Sequence, residues 1–141
     1  MARFLDPLIV EEISDSIFQL KADFRYQSDL VEEIILSPCG FFTDYASVPR
    51  WTPIIYSMLG DTAHAPAVTH DTLYYFGKTT REMADNIFLE AMGVIGISYF
   101  KRHLMWLGVR SGGWVAWNAH RAAHDGLPTK FPVPPVITPK A

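Results

Sequence analysis

The sequence predicts an α+β fold: an N-terminal antiparallel β-hairpin or small sheet, then a helical C-terminal half and an extended proline-rich tail. Three observations support this prediction. Polar and apolar residues alternate near the N-terminus, apolar residues recur at helical spacing in the second half, and the last sixteen residues hold half of the prolines. A chain of 141 residues that is 49% hydrophobic can bury one core. We therefore expect a single domain over residues 1–125, with its β part at about 1–47 and its helical part at about 52–125, and an arm over 126–141.

The strongest β signal is the segment Phe18–Tyr26, in which apolar and polar residues alternate without exception. Such alternation is typical of a half-buried strand. A second apolar run, Val31–Leu36, follows a polar turn and stops before Pro38. The two runs therefore predict an antiparallel hairpin.

The helices are expected beyond the irregular loop that follows Pro38. Thr79 and Glu82 match a capping box, which places the start of one helix at Thr80. The expected spans share apolar residues at helical spacing and are about Thr52–Leu59, Ala63–Phe76 ending at Gly77, Thr80–Gly93, a helix through Phe100, Leu104 and Leu107, and one through Trp114, Trp117 and Arg121.

Composition excludes several classes of function. A net charge of -3 and a pI near 5.9 lack the basic footprint of a nucleic-acid-binding protein, so we expect no nucleic-acid partner. The lone Cys39 cannot form an internal disulfide, as expected for a protein made in a reducing cytoplasm. No apolar run reaches the roughly 20 residues of a membrane span, and acidic residues interrupt the N-terminus where a signal peptide is apolar. We therefore expect neither a transmembrane segment nor general secretion.

Chemistry is predicted where a histidine and two aspartates converge on two neighbouring helices. His70 and Tyr74 are four residues apart and share a helical face, while Asp71 lies about 100° around the axis. Asp85 lies on or beside the apolar stripe of the next helix, where a carboxylate needs a partner. The short turn at Gly77 pairs the helices antiparallel and brings Asp85 toward His70.

A histidine held by a buried aspartate can act as a general base, because the carboxylate fixes the tautomer and the other ring nitrogen accepts a proton. By this argument Asp71 remains available for a metal ion. One carboxylate with carbonyls and waters suits calcium or magnesium better than zinc. Gly40, Asp44 and Ser47 in the preceding loop are further candidate contributors.

Two alternatives stay open at this point. His70, Tyr74 and Asp85 could form only a polar clamp between two helices. His120 and His124, also four residues apart, could ligate a metal from one helix face, or they could simply be cations at a solvated helix end.

Three motifs, in order, resemble a phage and prophage family of unknown function. They are the loop GFFTDYASVPR from Gly40 to Arg50, the helix HDTLY from His70 to Tyr74, and the pattern RxxADxxF from Arg81 to Phe88. The resemblance spans about residues 18–118. It implies a bacteriophage origin and no established activity.

A weaker likeness is to the active-site helices of phospholipase A2, which carry HDxxY followed by an aspartate on an antiparallel helix. By this likeness His70 would activate water, Asp71 would hold calcium, and Tyr74 and Asp85 would orient His70. The stretch from Arg50 to Ala63 contains one glycine, Gly60, so the glycine-rich calcium loop of those enzymes has no clean counterpart before His70.

The sequence therefore predicts a phage protein that is made in the host cytoplasm and associated with the virion or tail. Its His/Asp site would hydrolyse an ester or another bond of the host envelope, with lipid as a candidate substrate. The alternative is a non-catalytic tail or baseplate component whose C-terminal arm contacts neighbouring virion subunits.

Overall fold

The structure, a computed structural model, describes residues 1–15, 17–43 and 64–141. Two predictions lie outside the described residues. One is the short helix at about Thr52–Leu59, and the other is the contribution of Asp44 and Ser47 to a metal site.

Short strands in the N-terminal part form two antiparallel sheets of three strands each. The first sheet has the order β1-β4-β5 and the second has the order β2-β3-β6. The strands are β1 Arg3–Phe4, β2 Val10–Ser14, β3 Ile17–Leu20, β4 Phe24–Gln27, β5 Ile35–Ser37 and β6 Phe42–Thr43. With helices in the second half, this confirms the α+β fold.

The single strand predicted over Phe18–Tyr26 is wrong, because the segment is divided between two sheets. β3 pairs with β2 and β6, whereas β4 pairs with β1 and β5. At the bend between them, the Asp23 carboxylate accepts a hydrogen bond from the Cys39 amide at 2.8 Å. Apolar alternation reports which side chains face the core, and Leu20, Phe24 and Tyr26 are indeed buried. It does not report whether one hydrogen-bonded ladder continues.

The predicted hairpin is present as the pair β4 and β5, with Tyr26 opposite Ile35 and Phe24 opposite Ser37. Its second strand is shorter than the predicted run. Val31, at the start of that run, instead forms an isolated bridge with Pro139 from the C-terminal arm.

The second half contains four helices among the described residues: α1 His64–Phe76, α2 Arg81–Val94, α3 Tyr99–Gly112 and α4 Trp114–His124. Gly77 ends α1 with a positive φ of 62°, and its amide donates to Leu73 O at 3.0 Å. The N-cap of α2 is Thr80, whose hydroxyl accepts from the Met83 amide at 3.1 Å. The capping box predicted from Thr79 is therefore one residue early, since either threonine hydroxyl could cap.

Helix α1 is the centre of the molecule. Nine consecutive residues, Pro66 to Tyr74, are buried, because α1 packs against α2, α4 and β5. A helix buried on every side can position polar groups in several directions at once. No helix in the described part of the chain has the length and apolar character needed to cross a bilayer.

One residue, Gly113, separates helices α3 and α4. Gly113, the residue between them, has helical φ and ψ of −68° and −16°. Its amide donates to Val109 O at 2.8 Å, and its carbonyl accepts from the Trp117 amide at 2.9 Å. The predicted break between two helices at Gly112-Gly113 is present, because α3 ends at Gly112 and α4 begins at Trp114.

The C-terminal residues end against their own chain. The Ile137 side chain is 8% exposed, and its amide donates to Lys78 O at 2.8 Å. The Lys140 amide donates to Leu30 O at 2.9 Å. These bonds tie the chain end to the β4-β5 connection and to the turn between α1 and α2. Contact of this arm with a neighbouring subunit stays a prediction.

Substituting Ile137→Ala should lower the free energy of unfolding by about 2 kcal/mol, because it leaves a cavity in the core cluster that Ile137 completes. The matched control is Val136→Ala, because Val136 is 71% exposed and should change stability by less than about 0.5 kcal/mol. Urea denaturation of both variants measures the difference. Equal effects would show that the arm is not docked in solution.

Candidate functional site

The site begins with three side chains that meet between α1 and α2. His70 Nε2 lies 2.8 Å from Asp85 Oδ1, and the Tyr74 hydroxyl donates to the same oxygen at 2.7 Å. The His70 and Tyr74 rings are in contact, with centroids 4.2 Å apart. The helix pairing expected from the short turn at Gly77 therefore brings together the three residues that the sequence selected.

Two arginines, which the sequence argument missed, complete the shell around Asp85. Arg110 Nη1 donates to Asp85 Oδ2 at 2.8 Å, and Arg81 Nη1 lies 3.3 Å from that oxygen. Arg81 also donates to Val109 O at 3.0 Å, which links α2 to α3. The i,i+4 spacing of Arg81 and Asp85 was a visible signal for the first arginine. No local pattern indicates Arg110.

Asp85 is an ionised carboxylate without contact to water, at 0% exposure. Burial by itself raises its pKa, but the hydrogen bonds from His70, Tyr74 and Arg110 and the charge interaction with His70 outweigh burial and hold the pKa below the usual aspartate range. Burial and the Asp85 charge raise the pKa of Tyr74, so its hydroxyl keeps its proton and donates.

The hydrogen bond to Asp85 defines the tautomer of His70. Because ionised Asp85 only accepts, Nε2 carries the proton when the ring is neutral. Nδ1 is then the basic nitrogen, and no described residue bonds to it. The ring is 1% exposed and also contacts Phe88, with centroids 4.7 Å apart. Asp85 therefore fixes the orientation and the tautomer of a buried imidazole.

Asp71 points to a different side of α1, as its position in the sequence predicts. Its Oδ2 accepts a hydrogen bond from the Thr43 hydroxyl at 2.5 Å, and the residue is 7% exposed. Asp71 lines a cleft of about 250 Å³, whose other lining residues are Ile17, Phe41, Phe42, Thr43, Tyr75 and His120. The cleft thus borders Asp71, whereas His70 and Asp85 are not among its lining residues.

The sequence predicts two metal ligands, Asp71 and Asp44. Calcium takes about six to eight oxygen ligands. Of the predicted ligands, Asp71 supplies one carboxylate, while Asp44 lies outside the described residues. Among residues 1–15, 17–43 and 64–141, no group of three or more His, Cys, Asp or Glu side chains is placed to hold a metal ion.

The other histidine pair packs on an aromatic ring. The His124 and Tyr75 ring centroids are 3.9 Å apart, and those of His120 and Tyr75 are 6.0 Å apart. Burial and the nearby Arg121 charge lower the pKa of His124, outweighing the opposite effect of Asp125. Uncharged stacking on Tyr75 therefore explains this end of α4 better than a solvated cation does.

Arg121 is a third arginine whose role the sequence did not indicate. Its Nη2 donates to the carbonyls of Tyr74 and Tyr75 at 2.6 and 2.7 Å, at the last turn of α1. The guanidinium lies 4.7 Å from the centre of the Trp117 ring and fills the space where a Cβ on Gly77 would be. Arg121 thus caps the helix that carries the site.

Comparison with known proteins gives one match. A family model described as a protein of unknown function (DUF1353) matches residues 18–109. No curated protein matches the chain, and no solved structure matches it.

The charge of Asp85 should make this network sensitive to acid. Because the folded-state pKa is below the unfolded value of about 3.9, the stabilisation is complete above that pH and is lost as pH falls through the folded pKa. Asp85→Asn should cost about 3 kcal/mol at pH 7, because it removes a charge from a buried ionic network.

The measurement is urea denaturation of wild type and Asp85→Asn at several pH values. The two stabilities should converge at acidic pH. Glu12→Gln is the control, since Glu12 is exposed and should leave the wild-type profile unchanged. A gap between wild type and Asp85→Asn that is independent of pH would contradict a stabilising role of the carboxylate charge.

Proposed function

We propose, from the premise that the chain belongs to the DUF1353 family of proteins of unknown function, that it is a hydrolase with His70 as its general base. One observation carries the proposal. His70 Nε2 and the Tyr74 hydroxyl share a single oxygen of a buried, ionised Asp85, so Nδ1 of His70 is the nitrogen left to accept a proton.

The proposed reaction is the hydrolysis of an ester. Nδ1 of His70 takes a proton from a water molecule while the water oxygen attacks the ester carbonyl carbon. The Asp85 carboxylate, 2.8 Å from Nε2, stabilises the imidazolium that forms. The imidazolium then returns the proton to the departing alkoxide, which leaves a carboxylic acid and an alcohol. Tyr74 holds Asp85 in place throughout.

The cleft beside Asp71 supports a substrate with an apolar part. Ile17, Phe41 and Phe42 contribute apolar lining, while Asp71 and Thr43 contribute polar atoms. Such lining fits the acyl chain of an envelope lipid, whereas the ester must reach Nδ1 of His70, which does not line this cleft. Because of the likeness to phospholipase A2, calcium is tested as an additive, with Asp71 as its proposed ligand.

The origin of the protein is a further part of the proposal. The three sequence motifs that resemble a phage and prophage family support a protein made in the host cytoplasm and carried in the virion or tail. There it would contact other virion subunits and meet the host envelope.

A second candidate function is supported by burial. His70 and Asp85 are 1% and 0% exposed, and Asp85 is bonded by side chains of three helices. A network of this kind can have a purely structural role, in which it clamps the helices of a non-catalytic tail or baseplate component. The hydrolase requires that water and substrate reach Nδ1, whereas the clamp does not.

The deciding experiment measures hydrolysis of phospholipid vesicles and of a soluble generic ester, each with calcium and with chelator. His70→Gln should lower turnover by at least about 100-fold, because it removes the base. His103→Gln should leave turnover unchanged, since His103 lies on α3 and bonds to Tyr99 O. Circular dichroism confirms that each variant is folded.

Turnover that His70→Gln retains would remove His70 as the base. A folded wild type without turnover on either substrate would instead support the structural clamp.

A further inference from the structure

A pocket of about 240 Å³ lies where the C-terminal arm crosses the ends of α1 and α4. The chain turns after α4 at Gly126, which has a positive φ of 71°. The Phe131 ring then contacts the Phe76 ring, with centroids 6.5 Å apart, and farther along the Ile137 amide donates to Lys78 O. The arm is thus fixed at two points. We call the space the arm pocket; the end of α1 lines it with residues 75, 76 and 78, and the end of α4 and the arm line it with residues 124–127, 129 and 133.

Much of the arm pocket is lined by apolar and aromatic side chains. Tyr75 and Phe76 contribute from α1, while Leu127 and Val133 contribute from the segment after α4. The His124 ring packs on Tyr75 with centroids 3.9 Å apart and extends the aromatic wall. A concave apolar lining with a few polar groups is typical of a binding site for a small molecule.

Lys78 supplies the positive charge of the pocket. Among the described residues, none forms a hydrogen bond or an ion pair with its ammonium group, although the side chain is half-buried. Its backbone is fixed, because Lys78 O accepts from the Ile137 amide at 2.8 Å. Thr129 adds a donor, since its Oγ1 accepts from the Phe131 amide at 3.2 Å and its hydroxyl hydrogen is left for a ligand. These donors favour a ligand with a negative charge.

The other charged residue of the lining already has a partner. Asp125 Oδ1 lies 3.4 Å from Arg121 Nη1, so this carboxylate is compensated by Arg121. Arg121 also donates to the carbonyls of Tyr74 and Tyr75 at the last turn of α1. Lys78 is therefore not required to neutralise that helix end. Of the charges that line the pocket, the Lys78 ammonium is the one left uncompensated.

We propose that the arm pocket binds a small organic monocarboxylate. The carboxylate pairs with the Lys78 ammonium, and the apolar body lies against the Tyr75 and Phe76 rings. One uncompensated cation matches one negative charge. A phosphate dianion fits less well, because it carries a second negative charge into a pocket that also contains Asp125.

The inference is independent of the proposed hydrolysis, because no residue of the His70 network lines the arm pocket. Tyr75 lines both this pocket and the Asp71 cleft, so the two spaces are neighbours. Binding in the arm pocket is measured without turnover. Either proposal can therefore fail while the other stands.

Nuclear magnetic resonance of the isotope-labelled full chain tests the proposal, with benzoate as the probe. Benzoate should shift the backbone amide signals of Lys78, Leu127 and Thr129, with millimolar affinity because the probe is small. Benzamide has almost the same shape and no charge. It should bind at least about tenfold more weakly, because the charged hydrogen bond to the ammonium is lost.

Lys78→Gln should raise the dissociation constant of benzoate by at least about tenfold, since it removes the ammonium and keeps the backbone bond to Ile137. Lys101→Gln is the matched control, because Lys101 is exposed on α3, and it should leave the dissociation constant unchanged. Circular dichroism confirms that both variants are folded.

Three outcomes would overturn the proposal. The first is that benzoate at about 20 mM shifts none of the three amide signals. The second is equal affinity for benzoate and benzamide, which would show that the negative charge is not recognised. The third is equal affinity of wild type and Lys78→Gln for benzoate.

Discussion

The buried carboxylate of Asp85 lies where three helices meet. The packing of the helical half depends on the donors that compensate its negative charge. An isolated charge in this position would be strongly destabilising. Asp85 is instead surrounded by donors from α1, from its own helix α2 and from α3. Since each donor has a defined direction, the network restricts how these helices rotate against one another. Arg81 extends it by also bonding to backbone carbonyls of α3.

The same interaction underlies both the proposed hydrolase and the alternative structural role. An acceptor that stays ionised sets the tautomer of His70, and a fully bonded acceptor also holds helices together. The Asp85 network and the cleft lie on different faces of α1. His70 and Tyr74 face α2, whereas Asp71 and Tyr75 line the cleft. Helix α1 can present both faces because it is buried on all sides and is capped by Arg121.

The errors of the sequence-based predictions have specific physical causes. The segment Phe18–Tyr26 kept its buried alternation but changed sheets at Asp23, because alternation depends on side-chain environment and not on the hydrogen-bonding partner. The capping box was displaced by one residue because two adjacent threonines, Thr79 and Thr80, offer the same hydroxyl. Both errors concern choices between alternatives that are almost equal locally.

The sequence by itself determined the α+β fold, the pairing of β4 with β5, the four described helices and the approach of His70, Tyr74 and Asp85. These follow from periodicity and from a short turn, which act within a few residues. Only the tertiary structure decided that Arg110 bonds to Asp85, that Arg121 caps α1 and that Ile137 docks by Lys78. These contacts join segments far apart in the chain, so they depend on how whole elements pack, and no local pattern of residues encodes that packing.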